Sequence, residues 1–246
     1  MLAGKVAVIT GAGRGIGRAI ATGYAAQGAA VVCAARTQTE IDAVATEIQE
    51  SGGRALAVPT DVTDWQSVQT LYANTIETYN QIDIVVINAG ANLDRRPVED
   101  SQPDEWIATL QINLTGAYFC AKAAIPYMKA HGGHIIVIGS GMGHRATSGR
   151  SAYASSKAGV WMLTRVLAEE LKPYQICVNE LIPGPVVTDM NRSTLQTNNG
   201  GGYPYALHDE WIKQPEDVVP MALFLASQPL TGPTGQSFSL MRRDSQ

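Results

Sequence analysis

The sequence predicts an α/β fold, in which a single doubly wound parallel sheet lies between two layers of helices. Three observations support this three-layer α/β/α architecture. Short β-branched runs alternate with longer segments of helical periodicity along the chain. The strand-like runs are continuously apolar, as is typical of parallel strands buried on both faces. A length of 246 residues, with no repeat, low-complexity tract or linker, fits one domain spanning residues 1–246.

The predicted elements follow one another as strand and helix pairs. Strands are expected at Val6–Thr10, Val31–Ala34, Ala55–Pro59, Ile84–Asn88, His134–Gly139, Ile176–Leu181 and Ser237–Met241. Helices are expected from about Gly15, and at Thr39–Ser51, Thr63–Tyr79, Pro103–Ala130, Ala152–Leu171 and Pro215–Ser227. The Gly- and Asn-rich segment near residues 190–210 is expected to be a mobile substrate flap, because long loops in compact domains are usually functional or disordered.

Composition excludes several classes of partner. The net charge of −4, the pI near 5.6 and the absence of a Lys/Arg run argue against nucleic acid and an anionic membrane surface. No signal-like leader or uninterrupted apolar run of ~18 residues is found, so we expect a cytoplasmic protein. Cys33, Cys120 and Cys177 lack the spacing of a disulfide framework or metal site, and no metal is expected from the four histidines either.

A glycine-rich turn, Thr10-Gly11-Ala12-Gly13-Arg14-Gly15-Ile16-Gly17, follows the first strand and opens a helix. In a Rossmann-type fold, Gly11 would turn the chain, Gly15 would let the backbone approach a pyrophosphate, and Gly17 would let the helix pack closely on the sheet. The helix N-terminus would attract that anion. With Ile16 between the last two glycines, the spacing is Gly-x-x-x-Gly-x-Gly. A purely structural strand-to-helix turn is the alternative.

A catalytic group is predicted from Tyr153 and Lys157, which a spacing of four places on one face of a helix. An ammonium beside a phenol lowers the phenol's pKa, as a general acid near neutral pH requires. Ser140, at the carboxyl end of a strand, could hold a substrate oxygen. An ordinary surface pair is the alternative for Tyr153 and Lys157 alone.

Taken in order, these motifs resemble the short-chain dehydrogenase/reductase family, in its branch of about 250 residues. The resemblance covers about residues 4–240 and is closest in general pattern to 3-oxoacyl-acyl-carrier-protein reductase-like carbonyl reductases. Further matching motifs are Asp61-Val62, Asn88-Ala89-Gly90, Asn113 within a long helix, and Pro183-Gly184-Pro185-Val186-Val187-Thr188.

The resemblance implies a role for each matching residue. Tyr153 would be the general acid, Lys157 would lower its pKa and hold the nicotinamide ribose, and Ser140 would orient the substrate oxygen. Asn113 would kink its helix and anchor a proton-relay water. The remaining motifs would bind the cofactor: Asp61 and Val62 at adenine, Asn88, Ala89 and Gly90 on the adenosine side, and Pro183, Gly184, Val186 and Thr188 at the carboxamide. The family also implies a homo-oligomer, a tetramer or a dimer.

Cofactor choice depends on the end of the second strand, where Arg36 and Thr37 stand and no acidic residue occurs before Glu40. Together with Arg14 they favour NADP(H), because arginine pairs strongly with a 2′-phosphate. NAD(H) stays open. We therefore expect an NADPH-dependent reductase that converts a ketone or other carbonyl to an alcohol. The alternatives are an NAD-dependent alcohol dehydrogenase and a non-catalytic cofactor-binding protein.

The substrate end and the C-terminus are less well defined by sequence. His144, Arg145 and Arg150 could attract an anionic substrate, but the Gly/Ser-rich loop around them favours solvated side chains. Glu180 stands where the family usually has a small or neutral residue, and could face either the cleft or a subunit contact. The segment Ser237–Asp244 departs from the Val-Asp-Gly-Gly-like ending of many members.

Overall fold

The computed structural model describes residues 1–191 and 211–241. Seven parallel strands form one sheet in the order β3-β2-β1-β4-β5-β6-β7. The strands are β1 Val6–Thr10, β2 Ala30–Ala35, β3 Arg54–Pro59, β4 Ile84–Ile87, β5 Gly133–Ile138, β6 Ile176–Ile182 and β7 Ser237–Ser239. The described helices are α1 Gly15–Ala26, α2 Gln38–Glu50, α3 Trp65–Tyr79, α4 Pro103–Leu110, α5 Gly116–Met128, α6 Ser151–Leu171 and α7 Val219–Ala226.

Helices cover the sheet on both faces because successive strand residues point to opposite sides. Ala7 and Ile9 of β1 pack with α1, α2 and α7 in one buried cluster. Val8, between them, packs with α3, α5 and α6 in a second cluster. The sheet is thus buried between two apolar layers, and the predicted doubly wound three-layer fold is confirmed.

One predicted element is wrong in detail. The helix expected over Pro103–Ala130 is two helices, α4 and α5, joined by a π-helical turn over Gln111–Thr115. An extra residue in a helical turn gives the backbone a bulge, which often lies at a functional site. The bulge here carries Asn113, so a predicted site residue lies where the two helices join.

The strand order reverses direction between β1 and β4, which lie side by side although β2 and β3 intervene in the chain. In open parallel sheets, ligands bind at such a switch point, beyond the carboxyl ends of the strands. The glycine turn after β1 and the motif Asn88–Gly90 after β4 both lie at this edge. No helix among the described residues is long and apolar enough to span a membrane.

Candidate active site

The glycine turn has the backbone geometry that its spacing predicts. Gly11 and Gly15 adopt left-handed φ angles of +65° and +54°, which favour glycine. A Cβ on Gly17 would lie 2.2 Å from the carbonyl oxygen of Gly11, so only a glycine lets α1 approach the turn this closely. The helix N-terminus consequently lies at the carboxyl edge of the sheet.

Asn88 fixes this turn to the end of β4. Its Nδ2 donates to the carbonyl oxygens of Thr10 at 2.9 Å and Gly11 at 3.2 Å. The Thr10 hydroxyl in turn accepts from the backbone N–H groups of Asn88 at 3.0 Å and Ala89 at 3.1 Å. Thr10 was not singled out by sequence; it is a fully buried hydroxyl that completes the link between β1 and β4.

The predicted catalytic residues converge beyond β5. Ser140 lies two residues after the end of β5, and Tyr153 and Lys157 lie on the first two turns of α6. The Lys157 Nζ donates to the carbonyl oxygen of Ile138 at 2.7 Å and lies 5.9 Å from the centroid of the Tyr153 ring. A side-chain hydrogen bond joins Ser140 to Tyr153. The three side chains therefore form one group.

Burial dominates the proton affinities of this group. It raises the pKa of Tyr153 above its ordinary value, against a hydrogen bond from Ser140 and the charge of Arg150, which both lower it. Burial also lowers the pKa of Lys157 from 10.5 to about 8, while the charge of Glu180 raises it. The lowered Tyr153 pKa expected from spacing alone is thus not found, because desolvation disfavours the phenolate more than its neighbours favour it.

Asn113 lies behind these residues, buried in the π-helical turn. Its Nδ2 donates to the carbonyl oxygen of Ala91 and to the hydroxyl of Ser156, both at 2.9 Å. Its Oδ1 accepts from the Ala91 N–H at 2.8 Å. A Cβ on Gly90 would lie 3.2 Å from this oxygen and 3.8 Å from the Lys157 Nζ, so Asn113 and Lys157 approach the same glycine.

A cleft of about 660 Å³ runs along the carboxyl edge of the sheet past this group. Most predicted site residues line it: Gly11, Arg14, Gly15, Ile16, Arg36, Thr37, Asp61, Val62, Asn88, Ala89, Gly90, Ser140, Tyr153, Lys157, Pro183, Gly184, Val186 and Thr188. Gly17 and Asn113 are not among its lining residues and act from behind it. The predicted flap lies almost wholly in residues 192–210, outside the described residues.

At one end of the cleft, basic and acidic side chains meet. Arg36 is exposed directly after β2, and Arg14 is exposed in the glycine turn. The Arg14 guanidinium lies 3.5 Å from Asp189 and 3.8 Å from Glu40. Glu40 and Asp189 also line the cleft. Glu40 comes too late in the sequence for the usual ribose carboxylate after β2, yet the first turn of α2 brings it to the cleft.

The stretch expected to bind a carboxamide is held by an Asn that sequence reasoning missed. The Asn191 Oδ1 accepts from the N–H of Thr188 at 3.0 Å and from its hydroxyl at 3.2 Å. The Asn191 Nδ2 donates to the carbonyl oxygen of Val186 at 2.7 Å. An Asn three residues after a Thr is a turn signal that could have indicated this link.

These residues fit a dinucleotide. Gly15 places its backbone against Thr188, where a Cβ would be 3.3 Å from the Thr188 Cγ2, so a side chain there would narrow the middle of the cleft. Within the described residues, no side chain caps the N-terminus of α1, whose N–H groups are left for an anion. Among the same residues, no group of three or more His, Cys, Asp or Glu could hold a metal ion.

Glu180 and His144 are the residues that sequence reasoning placed least well. Glu180 lies neither at the cleft nor at the surface: it belongs to β6, which pairs with β5 and β7, and its side chain is fully buried. The His144 Nε2 lies 3.0 Å from a Glu180 oxygen, so His144 binds that carboxylate although the residue is exposed, as its loop predicts. Arg150 is also buried. The unusual C-terminal segment still forms β7, pairing with β6.

Comparisons with known proteins agree with this geometry. The family model described as short chain dehydrogenase matches residues 5–199. A 3-oxoacyl-[acyl-carrier-protein] reductase of Synechocystis sp. is 37% identical, over 97% of this chain and 96% of that protein. A trans-4-hydroxycyclohexanecarboxylate dehydrogenase of Sinomonas cyclohexanicum is 40% identical, over 97% and 92%.

Solved structures give the same result. A short-chain type dehydrogenase/reductase from Mycobacterium marinum superposes with a TM-score of 0.86 at 33% identity, covering 97% of this chain and 94% of that one. Carveol dehydrogenase from Mycobacterium avium in complex with NAD gives a TM-score of 0.89 at 28% identity, covering 97% and 96%. The chain therefore belongs to the short-chain dehydrogenase/reductase family of NAD(P)-dependent oxidoreductases, which act on CH–OH and carbonyl groups.

Proposed function

We propose that this protein is an NADPH-dependent reductase that converts a ketone or other small carbonyl to an alcohol, with Tyr153 as the general acid. The observation that carries the proposal is the convergence of Ser140, Tyr153 and Lys157 beside a cleft that begins at an uncapped helix N-terminus. The cleft joins an anion site, a proton donor and a buried cation on one edge of the sheet.

The chain's own residues would handle the proton. Bound NADPH would supply the hydride to the carbonyl carbon. Tyr153 would donate its hydroxyl proton to the carbonyl oxygen, and its raised pKa keeps the phenol protonated until that oxygen gains charge. Ser140 would hold the same oxygen by a hydrogen bond. Lys157 would stabilise the resulting phenolate and bind the nicotinamide ribose, while Asn113 would anchor the relay that returns the proton.

Replacement of Tyr153 by Phe tests the acid. The variant keeps the ring beside Lys157 but lacks the hydroxyl, and general acid catalysis contributes about 10²–10⁴-fold. We expect kcat to fall by that factor while NADPH affinity, measured by fluorescence titration, stays within about twofold. Ser140→Ala is the matched control and should lose less kcat, because it removes an orienting hydrogen bond and leaves the proton donor. Near-normal turnover by Tyr153→Phe would disprove the mechanism.

The NADP(H) preference is proposed from Arg36 and Arg14. Both line the cleft where β2 ends, and hydrogen bonds to charged groups are worth about 1.5–3 kcal/mol, or roughly 10–150-fold. Arg36→Ala should therefore reduce the ratio of kcat/KM for NADPH over NADH by at least about tenfold. Glu40→Gln is the control of opposite sign, since it removes a carboxylate that competes for Arg14. An unchanged ratio in Arg36→Ala would refute the phosphate contact.

An NAD-dependent alcohol dehydrogenase is the second candidate. Glu40 and Asp189 bring two carboxylates to the cleft beside Arg14, and the carveol dehydrogenase structure contains NAD. The same cofactor comparison separates the two candidates: a wild-type preference for NADH, together with faster oxidation of alcohols than reduction of ketones, would favour this one.

The substrate is proposed to be a small molecule and the enzyme a cytoplasmic homo-oligomer, a tetramer or a dimer. Exposed apolar side chains on α4, α5 and α6 support an interface: Ile107, Tyr118, Tyr127, Met162 and Val166. Light scattering after size-exclusion chromatography checks this, and Met162→Lys with Val166→Lys should shift the species toward monomer. A monomeric wild type would refute it.

A further inference from the structure

A buried carboxylate lies beneath the catalytic group. Glu180 is at the middle of β6, paired with Val137 of β5 on one side and Ser237 of β7 on the other, and its side chain is fully buried. Its carboxylate occupies the space beside Gly139. A Cβ on that glycine would lie 1.9 Å from the Glu180 Oε1. The backbone that carries Ser140 therefore passes directly over the carboxylate.

Two side chains from different elements bind this carboxylate. The His144 Nε2 lies 3.0 and 3.3 Å from its two oxygens, and the Ser237 hydroxyl donates to Oε2 at 2.5 Å. His144 ends the short turn that begins at Ser140, so both ends of this turn are held by Glu180: one by packing at Gly139 and one by a hydrogen bond.

The His144 ring is in turn positioned by α6. It meets the Trp161 ring edge to face at 5.0 Å, one helical turn beyond Lys157, and the Arg165 guanidinium covers Trp161 at 4.8 Å. The titratable groups shown near Glu180 are thus His144 on the turn after β5 and Lys157 on α6, while β7 contributes the neutral Ser237.

Glu180 also acts on the catalytic lysine. Lys157 is buried and donates to the carbonyl oxygen of Ile138, the residue before Gly139. An isolated buried ammonium tends to lose its proton, and a nearby carboxylate opposes that loss. The negative charge of Glu180 raises the pKa of Lys157 against the larger effect of burial. One side chain therefore contacts the segment of Ser140 and favours the charge of Lys157.

We propose that Glu180 is a positioning residue of this active site: with His144 and Ser237 it fixes the segment 138–144 that carries Ser140, and it is the buried counter-charge of Lys157. This proposal rests on the proposed function for its catalytic consequence. Glu180 is not among the residues that line the cleft. It acts through Ser140 and Lys157, which are.

Glu180→Gln tests the charge with little change of shape, because the amide oxygen can still accept from His144 and Ser237. Lys157 should then titrate about one pH unit lower. The alkaline limb of the pH profile of reductive kcat should shift to lower pH by the same amount. At pH 8, kcat should fall roughly fivefold, because a smaller fraction of Lys157 is then charged. NADPH affinity at pH 6, where Lys157 is charged in both proteins, should be unchanged.

His144→Phe is the matched control, since it keeps an aromatic ring against Trp161 and leaves the carboxylate in place. It should lower kcat by loosening the Ser140 turn, with the alkaline limb where it is in wild type. If Glu180→Gln lowers the thermal midpoint but leaves both kcat and the alkaline limb unchanged, Glu180 is only structural and the proposal is overturned. If Glu180→Gln does not fold, the positioning role is tested with Ser237→Ala and His144→Phe instead. Wild-type kcat in both of these variants would overturn the proposal.

A direct titration separates this proposal from the proposed function. In cofactor-free protein carrying ¹³Cε-labelled lysine, the Lys157 resonance is the one absent from Lys157→Arg, and its midpoint should fall by about one pH unit in Glu180→Gln. If wild type reduces no carbonyl with either cofactor, the proposed function fails while this shift still supports the counter-charge. If wild type is active and the midpoint does not move, the counter-charge fails alone.

Discussion

Gly139 and Glu180 provide a stability test of the arrangement beneath the active site. In Gly139→Ala, the three atoms nearest the new Cβ all belong to Glu180: Oε1 at 1.9 Å, Cδ at 2.5 Å and Cγ at 2.6 Å. The backbone of Gly139 is outside the left-handed region, so alanine meets no conformational penalty there. The cost of the substitution therefore arises from one side chain, and Glu180→Ala removes all three of those atoms.

The expected magnitude follows from these contacts. Overpacking a filled core costs about 1–3 kcal/mol, and a carboxylate pushed from its place also weakens, without breaking, its hydrogen bonds to His144 and Ser237, which would each cost about 1.5–3 kcal/mol if lost. Gly139→Ala should lower the free energy of unfolding by about 3 kcal/mol, which corresponds to roughly 6–12 °C in Tm for a chain of this length. In a Glu180→Ala background the same change should cost under about 1 kcal/mol.

The assay is a double-mutant cycle of thermal unfolding at one protein concentration, with wild type, both single variants and the double variant. We expect a coupling free energy of about 2 kcal/mol, because residues in contact are not additive. Additive Tm shifts would mean that the Glu180 carboxylate does not occupy the space beside Gly139. That result would remove the geometric basis of its proposed role.

Three further predictions follow from the site. Asn88→Ala leaves the carbonyl oxygens of Thr10 and Gly11 without their donor, and should weaken NADPH binding by roughly tenfold in a fluorescence titration; unchanged affinity would contradict the role of Asn88 in holding the turn. Reductive kcat in wild type should decline as pH rises through about 8. Burial lowers the pKa of Lys157 from 10.5 to about 8, so Lys157 is protonated below that pH and loses its charge above it. A pH profile flat to pH 9.5 would be incompatible with this. Asn113→Leu breaks bonds to Ala91 and Ser156 and should lower Tm by roughly 4–10 °C with loss of kcat, measured by scanning calorimetry and steady-state kinetics; wild-type values in both would exclude its predicted role.

Most of the fold could be predicted from the sequence because its signals are local. The predicted strands that end at Thr10 and Pro59 and the predicted helix that ends at Leu171 agree with the observed elements to within a residue at each end. Strand burial and helical periodicity are properties of short windows of sequence, so they can be detected without the fold. The π-helical turn at Gln111–Thr115 was not predicted as such. It depends on how Asn113 bonds to Ala91, 22 residues away, and no periodicity records that contact.

The site residues also fall into those with a local sequence signal and those that depend on contacts between distant parts of the chain. Glycines with a fixed spacing could be identified directly, because Gly11 needs a left-handed φ angle and Gly17 lies against the carbonyl oxygen of Gly11, and both constraints are local. The pairing of His144 with Glu180 joins residues 36 apart, one in a loop whose composition favours solvation and one in an apolar strand. The effect of burial on Tyr153 likewise outweighs the neighbours that its spacing indicates. Such tertiary effects appear only when the elements are assembled.

The position of β7 has a consequence for synthesis of the chain. Ser237 joins Glu180 only after residues 1–236 have been made, 80 positions beyond Lys157. A nascent chain that already contains the glycine turn, Ser140, Tyr153 and Lys157 still lacks one of the two bonds to the carboxylate beneath them. Turnover should therefore depend on this last strand more than cofactor binding does, and Ser237→Ala should lower kcat more than it lowers NADPH affinity.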